Sequence, residues 1–248
     1  MKEEIIHGDC LIEMQKIPDK SIDMILCDLP YGTTACKWDT IIPFEPLWEQ
    51  YKRIIKDNGA IVLTASQPFT SALVMSNVKM FKYEWIFNKT GASNFATAKY
   101  NPLKYHENIV VFAKSKTTYN PQMEQREGAG LKRVEIGYKG NKDTVSGEAT
   151  GIKIGKKDGS YSGELRYPSS VQKINNKNPQ DRGQHPTQKP VALMEYLIKT
   201  YTHEGDLVLD SCAGSGTTGI ACRNLNRNFI LIEKEQAYID IINKRLST

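Results

Sequence analysis

Short apolar runs alternate with amphipathic stretches along this 248-residue chain, on both sides of a long segment rich in glycine and lysine. Their spacing predicts strands at 4–7, 23–27, 60–64, 84–88, 108–113, 206–210 and 228–233. It predicts helices at 46–56, 68–77, 191–201, 216–225 and 235–246. Asn58-Gly59 is expected to end the first of these helices. Strand–helix alternation is typical of a doubly wound α/β fold, so we predict a mostly parallel sheet with helices on both faces.

The segment that interrupts the alternation, 115–182, differs from the rest in composition. Nine of the 18 glycines fall within 128–163, among lysine, serine and threonine. Residues 114–189 hold 15 lysines and arginines against 8 acids, a local charge of +7. A loop this long inside a compact domain is usually functional, so we predict an inserted basic module whose natural partner is a polyanion. The predicted division of the chain is 1–114, 115–182 and 183–248.

Bulk composition excludes several other classes of protein. No stretch of 18 or more apolar residues occurs, and the acidic start MKEEIIHGDC lacks the apolar core of a secretory signal. The five cysteines form no C-x-x-C pair, and the four histidines show no H-x-x-x-H spacing. We therefore expect a cytoplasmic protein with no membrane anchor, no metal site and no disulfide framework.

The stretch DLPYG, from Asp28 to Gly32, follows the apolar run IDMILC at the end of a predicted strand. One interpretation is a simple turn made by Pro30 and Gly32. The other is chemical, because the Asp28 carboxylate, the Pro30 carbonyl and the Tyr31 ring could together hold a flat base. The two oxygens would accept hydrogen bonds from an amino group, and the ring would stack on the base.

A second motif, DLVLDSCAGSGTT, places a glycine-rich turn between a predicted strand and a predicted helix. Gly214 and Gly216 would allow a ligand to approach the backbone closely. Glu233 ends the next predicted strand, where an acid can accept both hydroxyl hydrogens of a ribose. No lysine follows Gly216, so a P-loop is excluded. The alternative is that these glycines only close a tight turn.

Four acids lie at or just beyond predicted strand ends: Asp9, Asp28, Asp210 and Glu233. Ligands of open parallel sheets bind beyond the carboxyl ends of the strands. We therefore expect these acids to line one site.

Together these motifs resemble the amino-group DNA methyltransferases that use S-adenosylmethionine. DLPY resembles the D-P-P-Y catalytic motif, and DSCAGSGTT resembles the cofactor motif D-P-F-A-G-S-G-T-T. HPTQKP (185–190) and HENIVVFAK (106–114) match further segments of the family, and the order of the motifs is that of its β arrangement. The chain departs from the family pattern at Leu29, which replaces a proline, and at Ser211-Cys212, which replace Pro-Phe.

The resemblance implies a mechanism and a role for each part of the chain. Asp28 and the Pro30 carbonyl would accept the two N–H bonds of an exocyclic amino group, and Tyr31 would stack on a base flipped out of duplex DNA. The parts in chain order would be the catalytic half, the target-recognition region and the cofactor-binding half of a Rossmann-like methyltransferase domain.

The resemblance also implies which residues contact each ligand. Those expected at S-adenosylmethionine are Asp9, Cys10, Thr187, Gln188, Lys189, Asp210, Gly214, Gly216, Thr217 and Glu233. Those expected at DNA are Trp38, Arg126, Lys132, Arg133, Lys139, Lys142, Lys153, Lys156 and Lys157. Two readings stay open for Trp38, a wall of the base pocket or a lid on the core. Lys189 either binds the carboxylate of the cofactor or is a solvated surface charge.

Several functions are compatible with these motifs. The acid at position 28 favours adenine N6 as the methylated atom, and cytosine N4 is the nearest alternative. The absence of a Pro-Cys dipeptide excludes methylation of cytosine carbon 5. Methylation of RNA or of a protein glutamine, and non-catalytic nucleic-acid binding, are more distant alternatives. A homodimer is our hypothesis for the oligomeric state, for a bacterial or phage-encoded enzyme with or without a partner endonuclease.

Overall fold

The computed structural model of the protein describes residues 2–33, 39–128, 164–176 and 188–247. The backbone forms two compact units, Met1–Asn120 with Ser170–Thr248, and Pro121–Ser169. The first unit contains an eight-stranded sheet. The second unit contains a two-stranded sheet.

The predicted helices and strands occur in the predicted order, and the structure adds one short α-helix and three short strands that were not predicted. The strands are β1 (Glu3–His7), β2 (Ile22–Asp28), β3 (Ile55–Ala65), β4 (Phe81–Lys89), β5 (His106–Phe112), β6 (Glu124–Gln125), β7 (Leu165–Arg166), β8 (Val171–Ile174), β9 (Leu207–Asp210) and β10 (Asn228–Glu233). The helices are α1 (Cys10–Glu13), α2 (Phe44–Ile54), α3 (Phe69–Ser76), α4 (Val191–Tyr201), α5 (Thr217–Asn224) and α6 (Gln236–Leu246).

The large sheet has the strand order β1-β10-β9-β2-β3-β5-β4-β8. The first five strands in this order are parallel to one another. β5 is antiparallel to both β3 and β4. The predicted mostly parallel sheet is therefore confirmed. Because β5 runs in the opposite direction, its first residues lie at the edge where β2, β3 and β4 end.

Both faces of the sheet are buried, which explains the continuous apolar runs of the central strands. Along β2, Ile25 and Cys27 belong to one hydrophobic cluster with residues of α2 and α3. Met24 and Leu26 belong to the cluster on the other face, with residues of α4, α5 and α6. The alternation of side chains along a strand thus builds a core on each side and leaves the strand ends for polar residues.

One turn signal in the sequence has a different role from the predicted one. Asn58-Gly59 was expected to end a helix, but α2 ends at Ile54 and both residues lie inside β3. A Cβ added at Gly59 would lie 2.7 Å from the Asp23 carbonyl oxygen. This glycine therefore permits a close approach of two strands and does not cap a helix.

The chain between 115 and 182 contributes to both units. Val171–Ile174 form β8, which pairs in parallel with β4 at the edge of the large sheet. The second unit, Pro121–Ser169, is shorter than the predicted insertion. Within it β6 pairs with β7 in antiparallel fashion, and Arg126 Nε donates a hydrogen bond of 2.9 Å to the Leu165 carbonyl. The four-residue β8 was not predicted, because VQKI is too short and too polar to stand out from the surrounding loop.

Candidate active site

The DLPYG motif begins at the last residue of β2. Gly32 has a φ of +67°, a left-handed conformation that glycine adopts without strain. The amides of Gly32 and Thr33 donate hydrogen bonds of 2.8 and 2.9 Å to the two carboxylate oxygens of Asp39. The turn therefore leads the chain away from the sheet and leaves Asp28 at the strand end.

The Asp28 carboxylate is surrounded by donors from its own motif and from two other segments. Its Oδ1 accepts hydrogen bonds from the Tyr31 hydroxyl at 2.7 Å and from the Thr64 hydroxyl at the end of β3. Lys189 Nζ lies 2.9 Å from Oδ1 and 2.7 Å from Oδ2. Burial and the charge of Asp28 raise the pKa of Tyr31 well above its usual value, so that its hydroxyl stays a donor.

Lys189 is almost fully buried, with 8% of its side chain exposed. It lies between the carboxylates of Asp28 and Glu107, the latter at 3.2 Å. Burial would lower the pKa of this ammonium group, but the charges of its acidic neighbours raise that pKa well above its usual value. The reading of Lys189 as a solvated surface charge is therefore wrong.

The glycine-rich motif forms a tight connection from β9 to α5. Gly214 and Gly216 have φ values of +52° and +79°. A Cβ added at Gly216 would lie 2.9 Å from a side-chain carbon of Ile242, on α6. Gly216 thus serves close packing as well as the turn, which matches part of the alternative reading.

Asp210, the last residue of β9, stabilises this connection by hydrogen bonds. Its carboxylate accepts hydrogen bonds from the Cys212 amide at 3.1 Å and the Thr218 hydroxyl at 2.6 Å. Burial raises its pKa to about 6. Its principal contacts are with the motif itself, so it shapes the loop.

Glu233, the last residue of β10, is held by backbone amides. Its Oε2 accepts a hydrogen bond of 2.7 Å from the Gly214 amide, and Oε1 accepts bonds of 2.9 Å from the amides of Lys234 and Glu235. Burial raises the pKa of Glu233. Because a carboxylate offers about four lone-pair positions, one further donor can still be accepted there.

Two more segments complete this side of the site. Asp9 caps α1 by accepting a hydrogen bond of 2.9 Å from the Leu11 amide, and the buried Cys10 opens that helix. Gln188 accepts a hydrogen bond of 3.0 Å from the Ser215 hydroxyl. The amide nitrogen of Gln188 is buried and has no hydrogen-bond partner among the described residues.

Both motifs line one cavity of about 370 Å³. The predicted site residues in its wall are Asp9, Cys10, Asp28, Pro30, Tyr31, Gln188, Lys189, Asp210, Gly214, Thr217 and Glu233. A cavity of this size with a few convergent polar groups is typical of a small-molecule site. The structure therefore brings the two motifs together at the carboxyl edge of the sheet, as their positions at strand ends predicted.

Other predicted site residues lie outside this cavity or outside the described part of the chain. Arg126 belongs to the second compact unit. Gly216 packs against Ile242 and is not among the residues that line the cavity. The rest lie in the ranges that the structure does not describe: Trp38, Lys132, Arg133, Lys139, Lys142, Lys153, Lys156, Lys157 and Thr187. Their roles stay predictions.

Three polar residues near Asp28 were not singled out from the sequence. Thr64 donates to Asp28, while Glu107 contacts Lys189 and accepts a hydrogen bond of 2.9 Å from Lys89. Glu107 stands at the start of its strand, and the acids were sought at strand ends. Glu107 stands near the start of HENIVVFAK, and only the antiparallel direction of β5 shows that this strand start lies at the same edge of the sheet as Asp28.

Membrane-spanning helices and metal-binding clusters are both absent from the described part of the chain. Within the described ranges, no helix has both the length and the hydropathy needed to cross a bilayer. In the same part of the chain, no group of three His, Cys, Asp or Glu residues is arranged to hold a metal ion.

Comparison with known proteins identifies the family. The type II methyltransferase M.HpaI of Haemophilus parainfluenzae is 27% identical over 262 residues, which cover 100% of this chain and 75% of that protein. M.HinfI of Haemophilus influenzae is 28% identical over 269 residues, with coverage of 98% and 67%. The crystal structure of the M1.HpyAVI–SAM complex has the same fold, with a TM-score of 0.66 and 24% identity over 99% of both chains.

A family model for N6 and N4 enzymes, described as DNA methylase, matches residues 22–244. The predicted fold, the predicted family and the methylation of DNA are thereby confirmed. The same family model covers enzymes that methylate N6 and enzymes that methylate N4, so this match does not select one of the two amino groups. The chain belongs to the DNA methylase family.

Proposed function

We propose that this chain transfers a methyl group from S-adenosylmethionine to adenine N6 of a base flipped out of duplex DNA, in the bacterial cytoplasm. The observation that carries the proposal is the shared cavity, whose wall contains both Asp28 of the DLPYG motif and the hydrogen-bonded pair Gly214 and Glu233. The relatives M.HpaI and M.HinfI, both type II methyltransferases, support DNA as the substrate. The M1.HpyAVI–SAM complex supports the cofactor.

The residues present fit this cofactor. Glu233 and Asp9 offer carboxylate oxygens to hydroxyl and amino groups. The amide nitrogen of Gln188, which has no partner in the described part of the chain, is a donor for a carboxylate. Gly214 leaves the backbone accessible in the cavity wall. Lys189 is already bound to two carboxylates, so we assign the methionine carboxylate to Gln188 and Thr187 before Lys189.

The reaction needs an amino nitrogen whose lone pair is free to attack. An exocyclic amino group is a weak nucleophile because its lone pair is delocalised into the ring. Asp28 Oδ2 and the Pro30 carbonyl would each accept one N–H bond, which favours a pyramidal nitrogen and stabilises its developing positive charge. Bound S-adenosylmethionine supplies an electrophilic methyl group. The nitrogen lone pair would form the new N–CH3 bond while the S–CH3 bond of the sulfonium breaks, and S-adenosylhomocysteine would leave as the neutral thioether. The methylated nitrogen would then release one proton to solvent, so Asp28 need not act as a strong base.

Tyr31 is arranged to support a flat base. Its hydroxyl is fixed on Asp28, and its ring packs on Phe69 with 5.2 Å between the ring centroids. The ring is therefore held rigidly in the cavity wall, where stacking on a base is worth roughly 1–3 kcal/mol.

The loop between β4 and β5, residues 90–105, supports binding of DNA beside this cavity. Phe95 and Tyr100 are 64% and 79% exposed. Lys99 Nζ lies 5.9 Å from the centre of the Tyr100 ring. Exposed rings next to lysines are suited to stack on bases while the lysines contact phosphates. The loop starts where β4 ends, at the same edge of the sheet as Asp28.

The test is a methyl-transfer assay on mixed-sequence duplex DNA, followed by digestion to nucleosides and mass spectrometry. N6-methyladenine that is lost in Asp28→Ala would support the proposal. N4-methylcytosine would keep the mechanism and replace adenine by cytosine. No modified nucleoside, with cofactor binding intact, would contradict the proposal and direct the search to RNA and protein substrates.

We also propose that the protein acts as a homodimer. A palindromic target presents the same sequence on both strands, so two copies could serve both. The molecular mass in solution, with and without DNA, tests this, and a monomer in both conditions would contradict it.

A further inference from the structure

Glu107 belongs to the segment HENIVVFAK, and none of the roles assigned above falls on it. It is the second residue of β5, opposite Phe87 of β4. One carboxylate oxygen lies 3.2 Å from Lys189 Nζ, and the other accepts a hydrogen bond of 2.9 Å from Lys89 Nζ. Lys189 in turn contacts Asp28 at 2.7 Å. Lys89, Glu107, Lys189 and Asp28 thus form a row of alternating charges, here termed the charge row.

Lys89, Glu107 and Lys189, three members of the charge row, are shielded from water. The exposed fraction of the side chain is 5% for Lys89, 8% for Lys189 and 17% for Glu107. Burial would raise the pKa of Glu107, but the charges of Lys189 and Lys89 outweigh it and lower that pKa to about 2. Glu107 and Lys189 are therefore both charged at neutral pH. Buried charges of this kind are costly unless each has a partner of opposite sign.

We propose that Glu107 is a positioning residue for methyl transfer, which holds Lys189 against Asp28 and cancels the charge of that lysine beside the reacting amino group. The inference rests on the function proposed above. Glu107 does not line the cavity, so it acts through Lys189 and not on a ligand.

The physical reason is the sign of the charge that develops in the reaction. The amino nitrogen becomes cationic as it gains the methyl group, and a second cation nearby opposes that step. Two lysines and two carboxylates make the charge row neutral, so Lys189 can orient both oxygens of Asp28 without net repulsion. Loss of the Glu107 charge alone leaves the row at a net +1, next to the developing cation.

The position of the second lysine allows a test by charge balance. Lys89 donates hydrogen bonds to Glu107 at 2.9 Å and to the Ser93 hydroxyl at 3.0 Å, so it reaches Asp28 only through Glu107 and Lys189. Removal of Lys89 together with Glu107 returns the row to neutrality, although it removes two buried partners. An electrostatic role therefore predicts rescue by the second substitution, whereas a purely structural role predicts further loss.

The experiment compares Glu107→Gln, Lys89→Gln and the double variant with the unmodified chain. Glu84→Gln is the matched control. Glu84 lies on the neighbouring β4, is exposed, and accepts a hydrogen bond of 2.9 Å from the side-chain amide of Asn108. Single-turnover methyl transfer to DNA is measured at saturating cofactor. Cofactor affinity, DNA affinity and melting temperature are measured for the same samples.

We expect Glu107→Gln to slow methyl transfer by about 10- to 100-fold, with cofactor affinity changed by less than about threefold. The double variant should transfer the methyl group at least about fivefold faster than Glu107→Gln, and Glu84→Gln should transfer it as fast as the unmodified chain. Unchanged transfer in Glu107→Gln, or a double variant slower than Glu107→Gln, would overturn the inference. If Glu107→Gln does not fold, the double variant is compared with Lys89→Gln, from which it differs only at Glu107. Slower transfer in the double variant is then expected, and equal rates in the two would overturn the inference.

Failure of the proposed function gives a different result. The unmodified chain would then transfer no methyl group to DNA, and the inference would be refuted with it. An active unmodified chain with an equally active Glu107→Gln would instead refute the inference alone.

Discussion

Asp28 and Glu233 both end a parallel strand of the same sheet, yet they are held in different ways. Asp28 is surrounded by side chains, namely the hydroxyls of Tyr31 and Thr64 and the ammonium group of Lys189. Glu233 is held by three backbone amides that follow from the path of the chain. One carboxylate depends on the identity of distant residues, and the other depends on the fold.

This difference agrees with the role proposed for each carboxylate, methyl transfer for Asp28 and cofactor binding for Glu233. A group that only has to accept hydrogen bonds from a bound cofactor can be positioned by backbone amides, which side-chain substitutions other than proline leave in place. A group that faces a developing charge needs its orientation and its electrostatic environment set together, and at Asp28 the hydroxyls and the charged side chains supply both. We therefore expect substitutions around Asp28 to change the rate, and substitutions around Glu233 to change cofactor affinity.

The largest effect is expected for Asp28→Ala. It removes an acceptor of the amino group, so methyl transfer should fall by on the order of 10³-fold or more, while cofactor affinity stays within about threefold. Single-turnover rates and calorimetric titration of the cofactor measure the two effects separately. Asp57→Ala, at an exposed ion pair with Lys20, is the control. An undiminished rate in Asp28→Ala would remove the catalytic assignment.

Glu233→Gln should show the opposite pattern. The charge that accepts the Gly214 amide and faces the cavity is lost, so cofactor affinity should fall by about 10- to 100-fold. The rate at saturating cofactor should change by less than about threefold. Titration and single-turnover kinetics on the same sample check this, with the exposed Glu204→Gln as control. A loss confined to the rate would contradict the comparison.

A smaller effect is expected on the loop that follows β4. Tyr100→Ala and Phe95→Ala should each weaken DNA binding by about 1–3 kcal/mol, because each removes an exposed stacking ring, and leave cofactor affinity unchanged. Fluorescence anisotropy with labelled duplex DNA measures the affinities at two salt concentrations. Met75→Ala, at a similarly exposed apolar residue of α3, is the control. If Tyr100→Ala and Phe95→Ala bind DNA as tightly as the unmodified chain and Met75→Ala, the loop is excluded as a stacking surface.

The smallest effect concerns the third acid at this edge. Burial raises the pKa of Asp210 to about 6, above its unfolded value near 4, so its neutral form favours the folded state. Its contribution to the free energy of unfolding is therefore largest below about pH 4 and falls as the pH rises to about 6. Asp210→Asn should remove about 1–3 kcal/mol of pH dependence over that interval.

Chemical denaturation at pH 4.5 and pH 7 measures this pH dependence in the unmodified chain and in Asp210→Asn. The difference between the two chains isolates Asp210 from other titrating groups. The same pH dependence in both would show that Asp210 does not carry a raised pKa.

The sequence alone was sufficient to predict the main outlines of the fold. Apolar runs and helical periodicity are local, so they located β2, β9, β10 and α4 with little error. Element ends were less exact, as in α2, because an adjoining strand decided where the helix stops. The four-residue β8 escaped detection because its pairing with β4 has no local signal.

The site divides in the same way. Asp28, Gly214 and Glu233 were predicted because each follows directly from a strand end in one motif, and the carboxyl ends of parallel strands meet at one edge. Glu107 was missed because that rule selects strand ends, and only the antiparallel pairing of β5 brings a strand start to the same edge. The burial of Lys189 depends on three segments far apart in the chain.

What the sequence by itself determined is therefore the order of the strands and helices, the two motifs and the family that they resemble. These depend on patterns within a few residues of one another. The direction of β5, the surroundings of Asp28 and the charge row were decided only by the tertiary structure. The reason is that charges such as Lys89, Glu107 and Lys189 acquire their partners from contacts across the sheet, which neighbours along the chain do not specify.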